Sequence, residues 1–456
     1  MLRRRMRVLL VNPWIHDFAA YDFWLKPLGL LYVARAMEKM GYEVHLIDLL
    51  NRHDPELNRF TKVPRDKKFG TGKFPSEIIE KPKILHFVPR KYKRYGAPPR
   101  YLEWKLDQIG KIDLIMVTST LSYWYPGVWS TIEFLKSRYN VPIVLGGVYT
   151  RLFPKHATRS GARVFSFGDL IFLPKFLEKM GFPSKKIPED WFEVFDPMYE
   201  LYERVGYLVF ITTLGCPFKC SYCAVHKLWK GLRVRSPEKV VETLEKYLDT
   251  FRVKDVTFFD DAILVSKRFK ELLKFIIGRK WNVRFHLPNG IHARLIDEET
   301  AFLLKEANFK TIKLGYETTG RLQKETGGKV YDKDLIRAAR ILRKVGFTAE
   351  EVSAYIMVNM PGQTKKDVLE AVKVCLNEGI GVSVNEYTPI PGTVDWQKLI
   401  ERGMIDPNTD PVLLNNTVLP FWWRYGMSAE EIQEIKRIVQ ELKIKSSGAY
   451  KESLQS

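Results

Sequence analysis

Short β-rich runs alternate with amphipathic stretches along most of this chain. Residues 8–11 (Val-Leu-Leu-Val) read as a strand, residues 28–40 as a helix stopped by Gly41, and residues 43–49 as a second strand. After a basic stretch rich in Pro and Gly the pattern resumes, with a strand at 113–118, a helix at 128–138, a strand at 142–145 and a turn at Gly146-Gly147. Such alternation predicts a doubly wound parallel sheet, which binds ligands at the carboxyl ends of its strands. A second series begins at 207–213 and continues at 255–259, 283–287, 311–314, 353–358 and 382–387, with a helix-length amphipathic segment between successive strands. Six strand–helix units are fewer than the eight of a closed barrel, so an open or partial barrel is expected. The division that follows is 1–170 with an insertion at 52–111, a linker at 171–200, the partial barrel at 201–400, and a helical appendage at 401–456 that ends in a polar tail.

At 456 residues and 45% apolar composition, the chain can bury a large core, and disorder as its main state is excluded. The most apolar long stretch, 114–135, is interrupted by Ser, Thr, Pro and Glu133, so no membrane span is expected. The basic start at Arg3 to Arg7 precedes only four apolar residues, too few for a signal peptide, which points to a cytoplasmic protein. Lys and Arg number 73 against 53 Asp and Glu, a formal charge of +20, which favours acidic partners. Nearly half of this excess lies in residues 52–111, where 16 basic residues face 7 acidic ones.

Three of the four cysteines are crowded into the loop Gly215-Cys216-Pro217-Phe218-Lys219-Cys220-Ser221-Tyr222-Cys223, directly after the first strand of the second series. An odd cluster of thiols in a reducing compartment points to a shared metal rather than a disulfide framework. His226 extends the run to C-x3-C-x2-C-x2-H, which could complete a Cys3His zinc site in a basic nucleic-acid-binding protein. Against zinc, the loop sits at the mouth of a barrel rather than in a small module nucleated by metal.

With an aromatic residue directly before its third cysteine, the loop resembles the signature of the radical S-adenosylmethionine (radical SAM) superfamily. The resemblance implies that Cys216, Cys220 and Cys223 hold three irons of a [4Fe–4S] cluster and leave the fourth to the methionine amine and carboxylate of S-adenosylmethionine. It continues in family order through Phe258-Phe259-Asp260-Asp261-Ala262, Leu314-Gly315-Tyr316-Glu317-Thr318, residues 357–364 and the turn Thr388-Pro389-Ile390-Pro391-Gly392-Thr393. Cofactor contacts are thereby implied for Tyr222, Asp260, Asp261, Glu317, Met357 and Pro361, and for Arg294 just past the third strand. Taken singly, Asp260-Asp261 also suits a strand-end turn or helix cap, Glu317 a solvated loop, and Pro361-Gly362 an ordinary turn. A sulfonium cofactor with an ammonium group and two ribose hydroxyls nevertheless wants carboxylate acceptors at these strand ends.

The N-terminal segment, from Leu25-Lys26-Pro27-Leu28-Gly29 through Gly41-Tyr42-Glu43-Val44 and Ile47-Asp48, resembles the cobalamin-binding domain found in a subgroup of these enzymes. Val117-Thr118-Ser119-Thr120, Val144-Leu145-Gly146-Gly147-Val148 and Gly168-Asp169 resemble its later strand-end loops. None of the eight histidines lies in a D-x-H-x-x-G frame, so a corrinoid here would bind without the usual lower histidine ligand. Thr118, Ser119, Gly146 and Gly147 are small enough for a nucleotide tail to approach closely.

The resemblance thus implies reductive cleavage of S-adenosylmethionine, supplied by an external flavodoxin- or ferredoxin-type donor, to a 5′-deoxyadenosyl radical that takes hydrogen from an unreactive carbon. Methylation of that carbon follows if methylcobalamin is present, and rearrangement or oxidation if it is not. No motif names the substrate. In the insertion, the run from His86 to Tyr95 interleaves basic and aromatic residues, as a nucleic-acid surface does, although a solvated loop is the commoner reason for such a run. Cys375 lies midway along an amphipathic helix and reads as core.

Overall fold

The computed structural model describes residues 4–453, with side chains described over 4–445. Arg3, at the head of the basic start, and the end of the polar tail beyond 453 lie outside the described residues. In chain order the first strands are β1 (Arg7–Asn12), β2 (Ile15–Asp17), β3 (Glu43–Asp48), β4 (Ser76–Ile78), β5 (Lys93–Tyr95), β6 (Leu114–Val117), β7 (Ile143–Leu145) and β8 (Arg163–Val164). Five of them form a wholly parallel sheet in the order β3-β1-β6-β7-β8. The crossover helices are α1 (Leu28–Lys39), α2 (Pro99–Ile109) and α3 (Tyr125–Arg138). Side chains alternate across a strand, so β1 sends Val8 and Leu10 to the α1 face and Leu9 and Val11 to the α2–α3 face, and all four are fully buried.

The basic insertion is folded rather than a solvated loop. It supplies β4 and β5, which pair antiparallel with β2 in the order β2-β5-β4, and it contains α2, the crossover from β3 to β6. Tyr92 and Tyr95 are buried, and Arg94 lies 5.0 Å from the ring of Trp14. Two of the run's three aromatics are therefore core residues, and Phe87 alone is exposed.

The second sheet runs β9 (Leu208–Phe210), β12 (Asp255–Phe258), β13 (Arg284–His292), β14 (Phe309–Glu317), β15 (Val352–Val358) and β16 (Gly381–Glu386), all parallel and each beside its predecessor. The two remaining strands, β10 (Thr213–Leu214) and β11 (Arg233–Val234), form a separate antiparallel pair. Helices α4 (Pro237–Phe251), α5 (Arg268–Arg279), α6 (Glu298–Glu306), α7 (Asp332–Lys344) and α8 (Lys365–Asn377) make the five crossovers. The result is the six-unit partial barrel expected, with β9 and β16 as open edges.

β13 and β14 run several residues beyond their expected ends. Both slip register near their carboxyl ends, between Leu287 and Ile291 and between Gly315 and Glu317. Gly290 and Gly315 face one another there, and a Cβ on Gly290 would lie 3.0 Å from Gly315 Cα. Only glycines permit that approach, and the extended ends carry His292 and Glu317 over the top of the barrel.

Residues 171–200, read from the sequence as a linker, form a packed brace. Trp191, Phe192, Phe195 and Tyr199 are buried, and the Tyr199 hydroxyl donates to Val209 O and accepts from Val209 N, both at 2.9 Å. The apolar core on the α1 face of the first sheet is continuous through this brace with the core of the barrel. The last segment also packs inward. Val412 and Val418 enter the α2–α3 core, Asn415 Nδ2 donates to Asp17 Oδ1 at 2.8 Å, and α9 (Ala429–Ser453) buries Ile432, Ile435 and Val439. Among the described residues no helix is long and apolar enough to cross a membrane.

Candidate active site

The cysteine loop hangs between β10 and β11, whose pairing closes it at the base. Gly215 begins it at φ 88°, and a Cβ there would fall 2.1 Å from Gly231 O, so the two ends of the loop meet only because this residue is glycine. Ser221 N donates to Thr326 O at 3.1 Å and Asp395 N donates to Ser221 O at 3.0 Å, which ties the loop to the segments after β14 and β16.

Asp260 fixes the strand that leads into the loop. Its Oδ1 accepts from Thr212 N (2.8 Å), Thr212 Oγ1 (2.7 Å), Thr213 N (2.5 Å) and Thr213 Oγ1 (2.8 Å), while Oδ2 is buried without a partner. Burial outweighs these bonds and pushes its carboxyl up to about 6. Asp260 thus builds the loop's foundation instead of lining the cavity, whereas Asp261 faces into it. Burial, and secondarily the charge of Asp260, push the Asp261 carboxyl up to about 6.

Cys216, Cys220 and Cys223 open onto one cavity of about 340 Å³ at the carboxyl ends of the barrel strands. Tyr222, Asp261, Glu317 and Met357 line the same space. Burial raises all three thiols, Cys223 to about 11, so a metal would have to displace protons from them. His226 is exposed on the one-turn helix Val225–Leu228, outside the cavity, which removes the fourth ligand of the zinc reading. Among the described residues no three His, Cys, Asp or Glu side chains gather around a single-ion position. A four-iron cluster makes no such demand, because it spreads its cysteines over separate irons.

Glu317 reaches the cavity from the β14 bulge at φ 71°, a conformation that costs a non-glycine residue of order 1–3 kcal/mol and that is concentrated at functional sites. Burial pushes its carboxyl up against the pull of Lys329, whose Nζ lies 3.7 Å from Oε1. Lys329 and His292 are cavity residues that sequence reasoning missed. The His292 ring stacks on Phe218 with centroids 3.9 Å apart. Burial, with the cations of Lys329 and Arg294 nearby, holds the imidazole down at about 2, so it is neutral and its buried Nδ1 has no partner. Arg294 lies on Phe218, 5.1 Å from the ring, and neither it nor Pro361 is in the cavity wall.

A second cavity, of about 360 Å³, lies at the carboxyl ends of β6 and β7 and is walled mainly by apolar side chains. Thr118, Ser119, Gly146 and Gly147 all line it. Its far wall is Leu228 and Trp229, the residues that end the one-turn helix after the cysteine loop. Arg151 ties this wall to the first sheet by donating to the carbonyls of Lys227 and, at 2.8 Å, Leu228. Val225, at the start of that helix, lines the cysteine cavity, so a single helical turn separates the two spaces.

Two parallel α/β units thus present cavities on either side of the turn that follows a three-thiol loop. The family described as the Radical SAM superfamily matches residues 210–397 of the chain. The chain is 28% identical over 221 residues to the anaerobic magnesium-protoporphyrin IX monomethyl ester cyclase of Cereibacter sphaeroides. That match covers 44% of this chain and about a third (34%) of the cyclase. An uncharacterized methyltransferase of Pyrococcus horikoshii is 23% identical over 367 residues, 72% of this chain and 75% of that protein. In fold, the chain is similar to the radical S-adenosylmethionine methyltransferase TsrM from Kitasatospora setae, solved with cobalamin and a [4Fe–4S] cluster bound. The TM-score is 0.60 at 18% identity, over 88% of this chain and 78% of that one.

Proposed function

We propose that this radical SAM enzyme is a cobalamin-dependent methyltransferase acting on an unactivated carbon. The observation that carries this reading is the shared wall at 225–229, which sets a largely apolar cavity of the first sheet against the three-thiol cavity. Methyl transfer needs a methyl source and a radical source side by side, and one helical turn between the two spaces supplies that proximity.

In this reading Cys216, Cys220 and Cys223 hold the [4Fe–4S] cluster. Three thiols opening onto one cavity fit a cluster that keeps one iron for S-adenosylmethionine. Bound there, the cluster supplies the electron that splits S-adenosylmethionine to a 5′-deoxyadenosyl radical, and a corrinoid supplies the methyl group. Glu317 and Asp261 accept hydrogen bonds from the ammonium or ribose of S-adenosylmethionine, and Met357 and Tyr222 give apolar contact. Lys329 neutralises Glu317 until the cofactor's own positive charge arrives. Thr118, Ser119, Gly146 and Gly147 face the corrinoid's tail. Gly146 is the position with room, since a Cβ there meets nothing nearer than Phe165 O at 4.0 Å. The reductant is an external flavodoxin- or ferredoxin-type protein of a reducing, cytoplasmic compartment, consistent with four free cysteines.

Equilibrium dialysis of hydroxocobalamin against iron-loaded wild type and Gly146→Leu tests the reading. Retention by wild type that is lost in the variant is expected, with a cobalt spectrum lacking histidine coordination. No retention by wild type would overturn the cobalamin assignment and leave a radical SAM enzyme of rearrangement or oxidation type.

A further inference from the structure

At the opposite, amino-terminal end of β14, β15 and β16 lies a larger cavity, of about 1170 Å³, that neither the sequence motifs nor the chemistry above uses. Lys313 stands inside it. Its Nζ donates to Ser353 Oγ at 2.6 Å and Ser383 Oγ at 3.1 Å, one hydroxyl from each neighbouring strand, and lies 5.6 Å from the Tyr355 ring. Among the described residues the charge acting on it is a second ammonium, Lys443 from α9. Among the described residues two acids stand on the wall. Lys305 and Lys310 share Glu351 at 3.3 and 3.4 Å, and Lys68 of the insertion meets Glu350 at 2.7 Å on the rim.

A half-buried ammonium whose partners among the described residues are neutral hydroxyls loses hydration without a counter-charge, and a nearby like charge adds to the cost. Consistent with this, burial and Lys443 lower Lys313 to about 8. Serine hydroxyls beside lysines are the donors that phosphate oxygens accept from.

We infer that this cavity binds a small oligophosphate, with Lys313, Ser353 and Ser383 holding one of its phosphates. The site is separate from the cysteine cavity, but Tyr355 belongs to both ends of the barrel. Its ring faces Lys313, it lines the cysteine cavity, and its hydroxyl donates to Pro288 O at 2.7 Å.

The test is calorimetric titration of sodium tripolyphosphate into iron-loaded protein at fixed ionic strength. One site per chain is expected, weakened by at least about tenfold in Lys313→Met, the loss of one charge-assisted hydrogen-bonding group. Lys186→Met, an exposed lysine outside the cavity, is expected to bind as wild type does. Equal affinity in Lys313→Met and wild type would overturn the inference, as would binding of an oligonucleotide but not of tripolyphosphate. Should Lys313→Met fail to fold, acetylation footprinting of wild type decides. Saturating tripolyphosphate shields Lys313 but not Lys186 if the site is real, and unshielded Lys313 refutes it.

Discussion

Replacing Asp260 by Ala separates the cost of building the cysteine loop from the cost of burying a charge. The substitution removes the acceptor of four donors, two of them buried backbone N–H groups of Thr212 and Thr213. Leaving each such donor unpaired costs about 1–3 kcal/mol, so a loss of about 2–6 kcal/mol is the starting figure. Against it stands the wild type's own penalty. A carboxyl raised from 3.8 to about 6 binds its proton more tightly in the folded state, so wild-type stability falls as pH rises between those values and is flat above them. The full penalty is about 3 kcal/mol, reached near pH 7, and about 1.4 kcal/mol of it accrues between pH 5 and pH 7. Asp260→Ala lacks this penalty. The variant is therefore expected to be destabilised about 1.4 kcal/mol more at pH 5 than at pH 7, a difference measurable by urea unfolding of the iron-free protein at both pH values. An equal deficit at both, or a larger one at pH 7, would show that Asp260 is not buried as a strained carboxylate.

Alanine at Cys216, Cys220 or Cys223 is expected to abolish iron–sulfide loading and S-adenosylmethionine cleavage. Cys375→Ala, buried in the barrel core, should leave both intact, as iron and sulfide assays and product chromatography would show. Glu317→Ala should weaken S-adenosylmethionine binding by roughly 10- to 150-fold while sparing the cluster, the worth of a charge-assisted hydrogen bond; calorimetry reads it. Gly147→Ala should destabilise the fold by about 1–3 kcal/mol from its φ of 98° alone, and more because its Cβ would lie 2.1 Å from Ser119 O. Gly146→Ala should be near neutral in the same thermal-melt comparison.

What the sequence disclosed follows from what repeats locally. Parallel strands buried on both faces are continuous apolar runs, so β1, β12, β15 and their helices were legible to within a few residues, and the crowded thiols announced their own chemistry. Functions that depend on meeting distant residues were not legible. Asp260 and Asp261 are adjacent and chemically identical, yet the bend after β12 sends one to Thr212 and Thr213 and the other into the cavity. Lys329 is an unmarked lysine among 73 basic residues until the fold sets it beside Glu317. The extra lengths of β13 and β14 rest on Gly290 and Gly315, 25 positions apart, whose meeting no local pattern encodes. The insertion's charge invited a surface reading because its buried tyrosines alternate with lysines and arginines whose charged heads remain near solvent.

Asn415 bonding to Asp17 across 398 positions, with Val412 and Val418 in the core beneath the first sheet, has a consequence for the order in which the chain matures. A ribosome releases the strands of the first sheet long before it makes residues 412–418. Until then that core is short of part of its apolar cover, and the Asp17 carboxylate lacks one of its donors. The first unit to be synthesised is thus among the last to be finished, and chains cut short before residue 412 should hold a loosened, protease-sensitive N-terminal sheet even though every strand of it is present.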